Sequence, residues 1–171
     1  MIKNYYITIC LILIFLLTLN GCEKKQVKII DMETHENKSE YKLIYENPID
    51  GGVIEKKVSL SSKNIEEQII YELFKLENIP KDVRSSLNVN KLKVLNVEYV
   101  EEEKKVKINF NKALLYYEGE HNDVRYFHTA IYDTLAQFDS VEYVAIFVEG
   151  KFVEGLGELV VSGKIYREKE K

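Results

Sequence analysis

Three histidines and a scatter of carboxylates are the residues of this chain best suited to chemistry. His121 and His128 lie seven apart, on one face of a helix if one runs through both, with Asp123 and Asp133 close in sequence; His35 stands far from them in a polar segment. A metal centre needs three or four converging ligands and a dry surround, and helical geometry supplies two at most. These histidines are therefore read as surface or half-buried structural residues. The carboxylate groups Glu66–Glu67 and Glu101 to Glu103 fall on an expected solvent face and a hairpin tip, where solvation explains them. No Ser or Cys stands in a nucleophile motif, and no Gly-rich loop follows a strand: the glycines at 51, 52, 155, 157 and 163 punctuate turns. The sequence points away from an enzyme and calls for no metal or cofactor.

Cys22 is the exception. Lys3 supplies a positive start, Ile7 to Leu17 form an apolar run too short to span a bilayer, and Leu19-Asn20-Gly21-Cys22 follows. A Leu three residues before a Cys, with a small residue between them, resembles the lipobox of bacterial lipoproteins. That resemblance implies removal of residues 1–21 and a lipid on the sulfur of Cys22, with two acyl chains anchoring where one is marginal. Cys10 leaves with the signal and Cys22 is used by lipid, so the mature chain, expected on the extracytoplasmic face of the membrane, carries neither disulfide nor free thiol.

The chain has 171 residues and a net charge of −4, which becomes −5 when Lys3 is removed. Lysines are mixed with glutamates along the chain instead of gathered into a basic stripe, so no nucleic-acid partner is called for.

The elements that position these residues follow from periodicity. Residues 23–40 are polar and without sustained pattern, a tether of about 20–25 Å if flexible. Tyr41 to Glu46 alternates, Val53 to Leu60 is a second strand, and Asn47-Pro48-Ile49-Asp50-Gly51-Gly52 between them makes a wide hairpin loop. A helix is predicted over Asn64 to Glu77, with an Asn64/Glu67 capping box and Ile65, Ile69, Ile70, Leu73, Phe74 and Leu76 on its apolar face. Leu92 to Val100 and Lys104 to Phe110 form a second hairpin, Asn111 caps a short helical turn, and Tyr116 to His121 is a loop. Val124, Phe127, Ile131, Leu135 and Phe138 mark a long helix, and Val141 to Val148 a strand entering a tight turn at Glu149-Gly150. Leu159 to Tyr166 is a last strand and the charged tail from Arg167 is frayed. The fold class is α+β: a two-layer sandwich with an αββαβ core, two helices on one face of an antiparallel or mixed sheet, and flanking strands at both ends.

This order is similar to the GerMN domain of sporulation and spore germination proteins. The likeness covers about residues 41–167, through Ile108-Asn109-Phe110-Asn111-Lys112, the helix Asn122 to Phe138, the strand and turn Val141 to Lys151, and the glycine-punctuated end Gly155 to Ile165. Residues 41–167 are thus one such domain and 168–171 a tail. What the resemblance implies is a domain like the ring-building motif of envelope-spanning complexes, acting by packing against copies or relatives, with no catalytic residue. A structural or docking role in an envelope assembly follows; the alternative is an extracytoplasmic lipoprotein that binds cell-wall glycan or a small solute in a concave pocket.

One strand face bears on this choice. If Val144, Ile146 and Val148 face the helices, then Tyr143, Ala145 and Phe147 face away, and that side is apolar where a two-layer fold meets water. Either terminal strands fold over it or it is a docking surface for a protein partner or a second copy. Tyr116 and Tyr117, side by side in a loop, are further interface candidates. Cys22→Ser should move the protein from the detergent phase to the aqueous phase in detergent partitioning of cell extracts; an unchanged distribution would count against the anchor.

Overall fold

The computed structural model describes residues 38–88, 90–119 and 121–167. In chain order these form β1 (Lys38–Glu46), β2 (Val53–Ser61), α1 (Ile65–Leu73), β3 (Val94–Val100), β4 (Lys105–Phe110), α2 (His121–Leu135), β5 (Tyr143–Val148), β6 (Lys151–Val153), β7 (Gly155–Leu156), β8 (Leu159–Val160) and β9 (Gly163–Lys164). Cys22, His35, the segment 23–37 and the tail 168–171 lie outside the described residues. Among the described residues no helix is long and apolar enough to cross a membrane.

The main sheet is mixed. β3 pairs antiparallel with β4, β4 pairs parallel with β5, and β5 pairs antiparallel with β6 at one end and β9 at the other. A parallel pair needs a crossover, and α2 supplies it. Val106, Ile108 and Phe110 of β4 are fully buried, as is Ile146 of β5, with Val144 and Val148 nearly so. Against this face lie the fully buried Phe127, Ile131 and Leu135 of α2 and Ile69, Ile70 and Leu73 of α1. Phe74, Phe110 and Phe127 form the hub, with ring centroids 5.2–5.9 Å apart. Each such side chain contributes roughly 1.5–3 kcal/mol by leaving water, which makes the two-helix layer on one sheet face the α+β core foreseen from the pattern.

The β1–β2 hairpin packs against the helices. Leu43 and Tyr45 are fully buried, Tyr41 stacks on Phe138 at 5.4 Å, and the Tyr45 hydroxyl donates to the Leu73 carbonyl (2.9 Å). The edge of β1 that does not face β2 runs along α2. There the Ile44 N–H donates to Thr134 Oγ1 (2.9 Å), the Lys42 N–H donates to Gln137 Oε1 (3.1 Å), and Gln137 Nε2 donates to the Lys42 carbonyl (2.8 Å). The edge of β3 is closed in the same way from α1: the Val97 N–H donates to the Tyr71 hydroxyl (3.1 Å) and the Tyr99 N–H to Glu67 Oε1 (3.0 Å).

Several local expectations are corrected. β1 begins at Lys38, three residues before the predicted start. Asn64 adopts a left-handed conformation (φ 50°) and makes no side-chain cap, and Glu67 is used by β3, so the predicted capping box does not form. α1 ends at Leu73 instead of Glu77: the ladder of i−4 bonds stops at the Phe74 N–H, and the Lys75 N–H turns to the Glu72 carbonyl three residues back (3.3 Å). Asn78 Nδ2 donates to the Glu72 carbonyl (2.9 Å) and Arg84 Nη2 to that of Leu76 (3.0 Å), leaving Leu76 half exposed. Asn111 does not cap the following 3-10 turn with its side chain; the turn, Lys112–Gly119, starts from its backbone carbonyl. Arg167 is not frayed: it donates to the carbonyls of Ala136, Phe138 and Val141, closing the C-terminal end of α2.

Thr134 is fully buried, and removing its hydroxyl leaves a strand N–H with no partner. Thr134→Val, close in shape, should lower unfolding free energy by about 1–3 kcal/mol in urea denaturation. A loss under about 0.5 kcal/mol would show that water reaches the edge of β1.

Candidate functional site

Side chains pointing away from the helices form rows across the main sheet. Asn96, Asn109, Phe147 and Phe152 make one row, Glu98, Lys107 and Ala145 a second, and Lys105, Tyr143 and Lys164 a third. Among the described residues neither terminal segment covers this face. The N-terminal hairpin packs on the helices, and β6 and β9 extend β5 edge to edge. Phe147 meets Phe152 edge-on at 5.7 Å, Phe152 is 57 % exposed and Tyr143 is 38 % exposed. A shallow groove of about 290 Å³ lies between Asn96, Glu98, Lys107, Asn109, Phe147 and Gly150.

The sequence placed Tyr143, Ala145 and Phe147 together on this side, and the structure does the same. It differs at Ala145, which is buried, because a methyl group between Tyr143 and Phe147 and opposite Lys107 is shaded by longer neighbours. Phe152 went unremarked, yet its place was legible. Glu149 and Gly150 both have positive φ (48° and 78°), the mark of a two-residue type I′ hairpin, which sets Phe152 opposite Phe147. Tyr116 is 73 % exposed on the 3-10 turn and belongs to none of these rows; the side chain of Tyr117 lies outside the described residues.

A second concavity was not foreseen. His128, Tyr132 and Asp133 of α2 face Val160, Gly163, Lys164, Ile165 and Tyr166 across a groove of about 470 Å³. The rings of His128 and Tyr132 stack at 3.9 Å, and the Tyr132 hydroxyl donates to the Val161 carbonyl (3.3 Å). Burial pushes the Tyr132 phenol up to about 12 and holds His128 below its usual value; burial, then the Glu46 charge, raises the Asp133 carboxyl. Sequence reasoning linked His128 to His121 along the helix and missed its partners because they come from the glycine-rich end of the chain. Among the described residues no group of three or more His, Cys, Asp or Glu is placed to hold a metal ion.

The sequence matches the family Germane, described as sporulation and spore germination, over residues 39–154. Among solved structures, the first GerMN domain of the sporulation protein GerM from Bacillus subtilis has 19 % identity and a TM-score of 0.55, over 75 % of this chain and 98 % of that one. The tandem GerMN domains of the same protein have 18 % identity and a TM-score of 0.51, over 72 % of this chain and 43 % of that one. At these identities the likeness shows a shared fold. No curated protein sequence matches the chain.

Because His128 is held low, the unfolded chain takes up a proton at a pH where the folded imidazole is still neutral. The stability tied to neutral His128 is complete above about pH 6.5 and is lost as pH falls below it toward the depressed folded value. Urea unfolding at pH 7.5, 6.5 and 5.5 should show a decline that His128→Gln reduces. An identical decline in the variant would assign it to other groups.

Proposed function

The chain belongs to the Germane family of sporulation and spore germination domains, and from that premise we propose that it is a structural docking component of an envelope assembly, held on the extracytoplasmic membrane face by lipid on Cys22. The observation that carries this reading is the outer face of the main sheet. Tyr143 and Phe152 stand exposed beside Phe147 on a rigid strand pair, with polar side chains of β3 and β4 as a rim. Aromatic anchors inside a polar border are the composition of protein interfaces, and the face suits another domain or a second copy. No catalytic step is assigned.

The groove beside His128 favours a second reading, an extracytoplasmic protein that binds a cell-wall glycan or small solute. It is concave, it has the size of a small-molecule site, and Tyr132, Asp133, His128 and Lys164 converge on it.

Photo-crosslinking residues placed at Tyr143 and at Phe152 in sporulating cells should trap a discrete envelope protein, or a second copy, whereas the same residue at Ser59 on the hairpin should not. Equal labelling from Ser59, or none from either aromatic position, would overturn the docking reading. Specific binding of glycan fragments that Asp133→Ala abolishes would favour the groove.

A further inference from the structure

We propose that Lys91, Lys93 and Lys112 form a binding site for phosphate-bearing headgroups, and that its occupant is an anionic phospholipid surface. The site is a concavity of about 500 Å³ lined by these lysines together with Asn88, Asn90, Asn111, Ala113 and Tyr116. Among the described residues no carboxylate lines it. Elsewhere Lys42, Lys57, Lys75, Lys104, Lys105 and Lys107 each face a glutamate. The three ammonium groups here form no ion pair among the described residues, and in a chain of net charge −4 their gathering is a local inversion of sign.

The lysines are held together by a built floor. Asn111 Oδ1 accepts from the Lys93 N–H (3.0 Å), its Nδ2 donates to the Lys91 carbonyl (2.9 Å), and its own N–H donates to the Lys93 carbonyl (3.0 Å). Asn88 adopts a left-handed conformation (φ 43°), and its carbonyl accepts from the Lys91 N–H (3.0 Å) and the Leu92 N–H (3.1 Å). Glu149 approaches the site at the backbone: its Oε1 accepts from the Lys112 N–H (3.1 Å). The side chain of Asn111 thus sets Lys112 beside Lys91 and Lys93 without using any ammonium group.

A membrane surface is favoured over a soluble anion by what surrounds the lysines. Tyr116, 73 % exposed, lines the same concavity, and its neighbour Leu115 on the turn that begins at Lys112 is 40 % exposed. Basic side chains beside an exposed Tyr and Leu suit the headgroup boundary, where ammonium groups meet phosphates and the apolar groups enter the interface. With the proposed lipid on Cys22, only sixteen residues before β1, the domain stays close to the bilayer. The patch would then orient a domain that an anchor only tethers. The inference stands on the patch, and holds whether or not the outer sheet face docks a protein.

The test is amide hydrogen exchange of the full chain with vesicles of phosphatidylglycerol and, separately, of phosphatidylcholine. The expected result is slower exchange at residues 90–93 and 111–116 with phosphatidylglycerol only, reversed by about 0.5 M salt. Each Lys→Gln change should weaken the effect about fivefold. The triple variant K91Q/K93Q/K112Q should abolish it while K91R/K93R/K112R keeps it, and unchanged exchange in β4 and β5 would show that both remain folded. Equal exchange with both lipids, or an effect that survives the triple Gln variant, would overturn the proposal. Protection of the same amides by millimolar inorganic phosphate with no response to phosphatidylglycerol would overturn the membrane and leave a soluble phosphate ligand.

Discussion

A strand pays twice for its backbone, once on each edge, and an edge without partners is both costly when dry and open to other chains when wet. Two edges in this molecule are closed by side chains from helices and, at Gln137, from the turn just after one. Thr134 and Gln137 meet the N–H and C=O groups of β1, and Glu67 and Tyr71 meet the N–H groups of β3. Each helix therefore has two tasks: an apolar stripe on the main sheet and a polar shoulder on a strand edge. The fold depends on both being in register. A helix rotated to improve one contact loses the other, so the aromatic hub of Phe74, Phe110 and Phe127 and the polar edge contacts fix a single orientation between them.

Much of this was legible in the sequence, and the parts that were not have identifiable causes. The apolar residues of α2 and the alternation of β4 report burial directly, because the hydrophobic effect acts on one side chain at a time. The two hairpins and the Glu149-Gly150 turn were readable because turn chemistry is local. Polar residues with distant partners were misread. Asn64 and Glu67 have the spacing of a capping box, but Glu67 instead satisfies an N–H of β3, thirty-two positions along the chain. Asn111 looks like a helix cap and instead ties two loop segments together. Arg167 looks like frayed charge and closes a helix end. A polar side chain's partner is set by topology, and periodicity carries no record of it.

The candidate surfaces divide along the same line. The outer face of β5 could be named residue by residue, since period two assigns faces and only Ala145 is shaded by its neighbours. The groove beside His128 needed the glycine-broken C-terminal segment to be placed against α2. Gly163 pairs with β5 beside Tyr132; a Cβ there would lie 3.6 Å from the Tyr132 hydroxyl, an ordinary contact, so the space at the groove wall does not itself demand glycine. The lysine-lined concavity likewise joins the approach to β3 with the turn after β4, segments about twenty residues apart that a single Asn holds together.

The hydrogen bonds that β1 makes with α2 and the turn after it join residues 90 to 95 positions apart. Contacts of such separation form late, because a long loop must close before they contribute any stability. As the chain is made, the first hairpin therefore emerges with one edge bare and stays so until some ninety further residues have followed. During that interval its nine-residue edge is open to pairing with other chains. Fidelity of folding here is a matter of timing: whatever delays α2 lengthens the exposure of β1, and whatever shields β1 in the meantime acts as a chaperone for the whole domain.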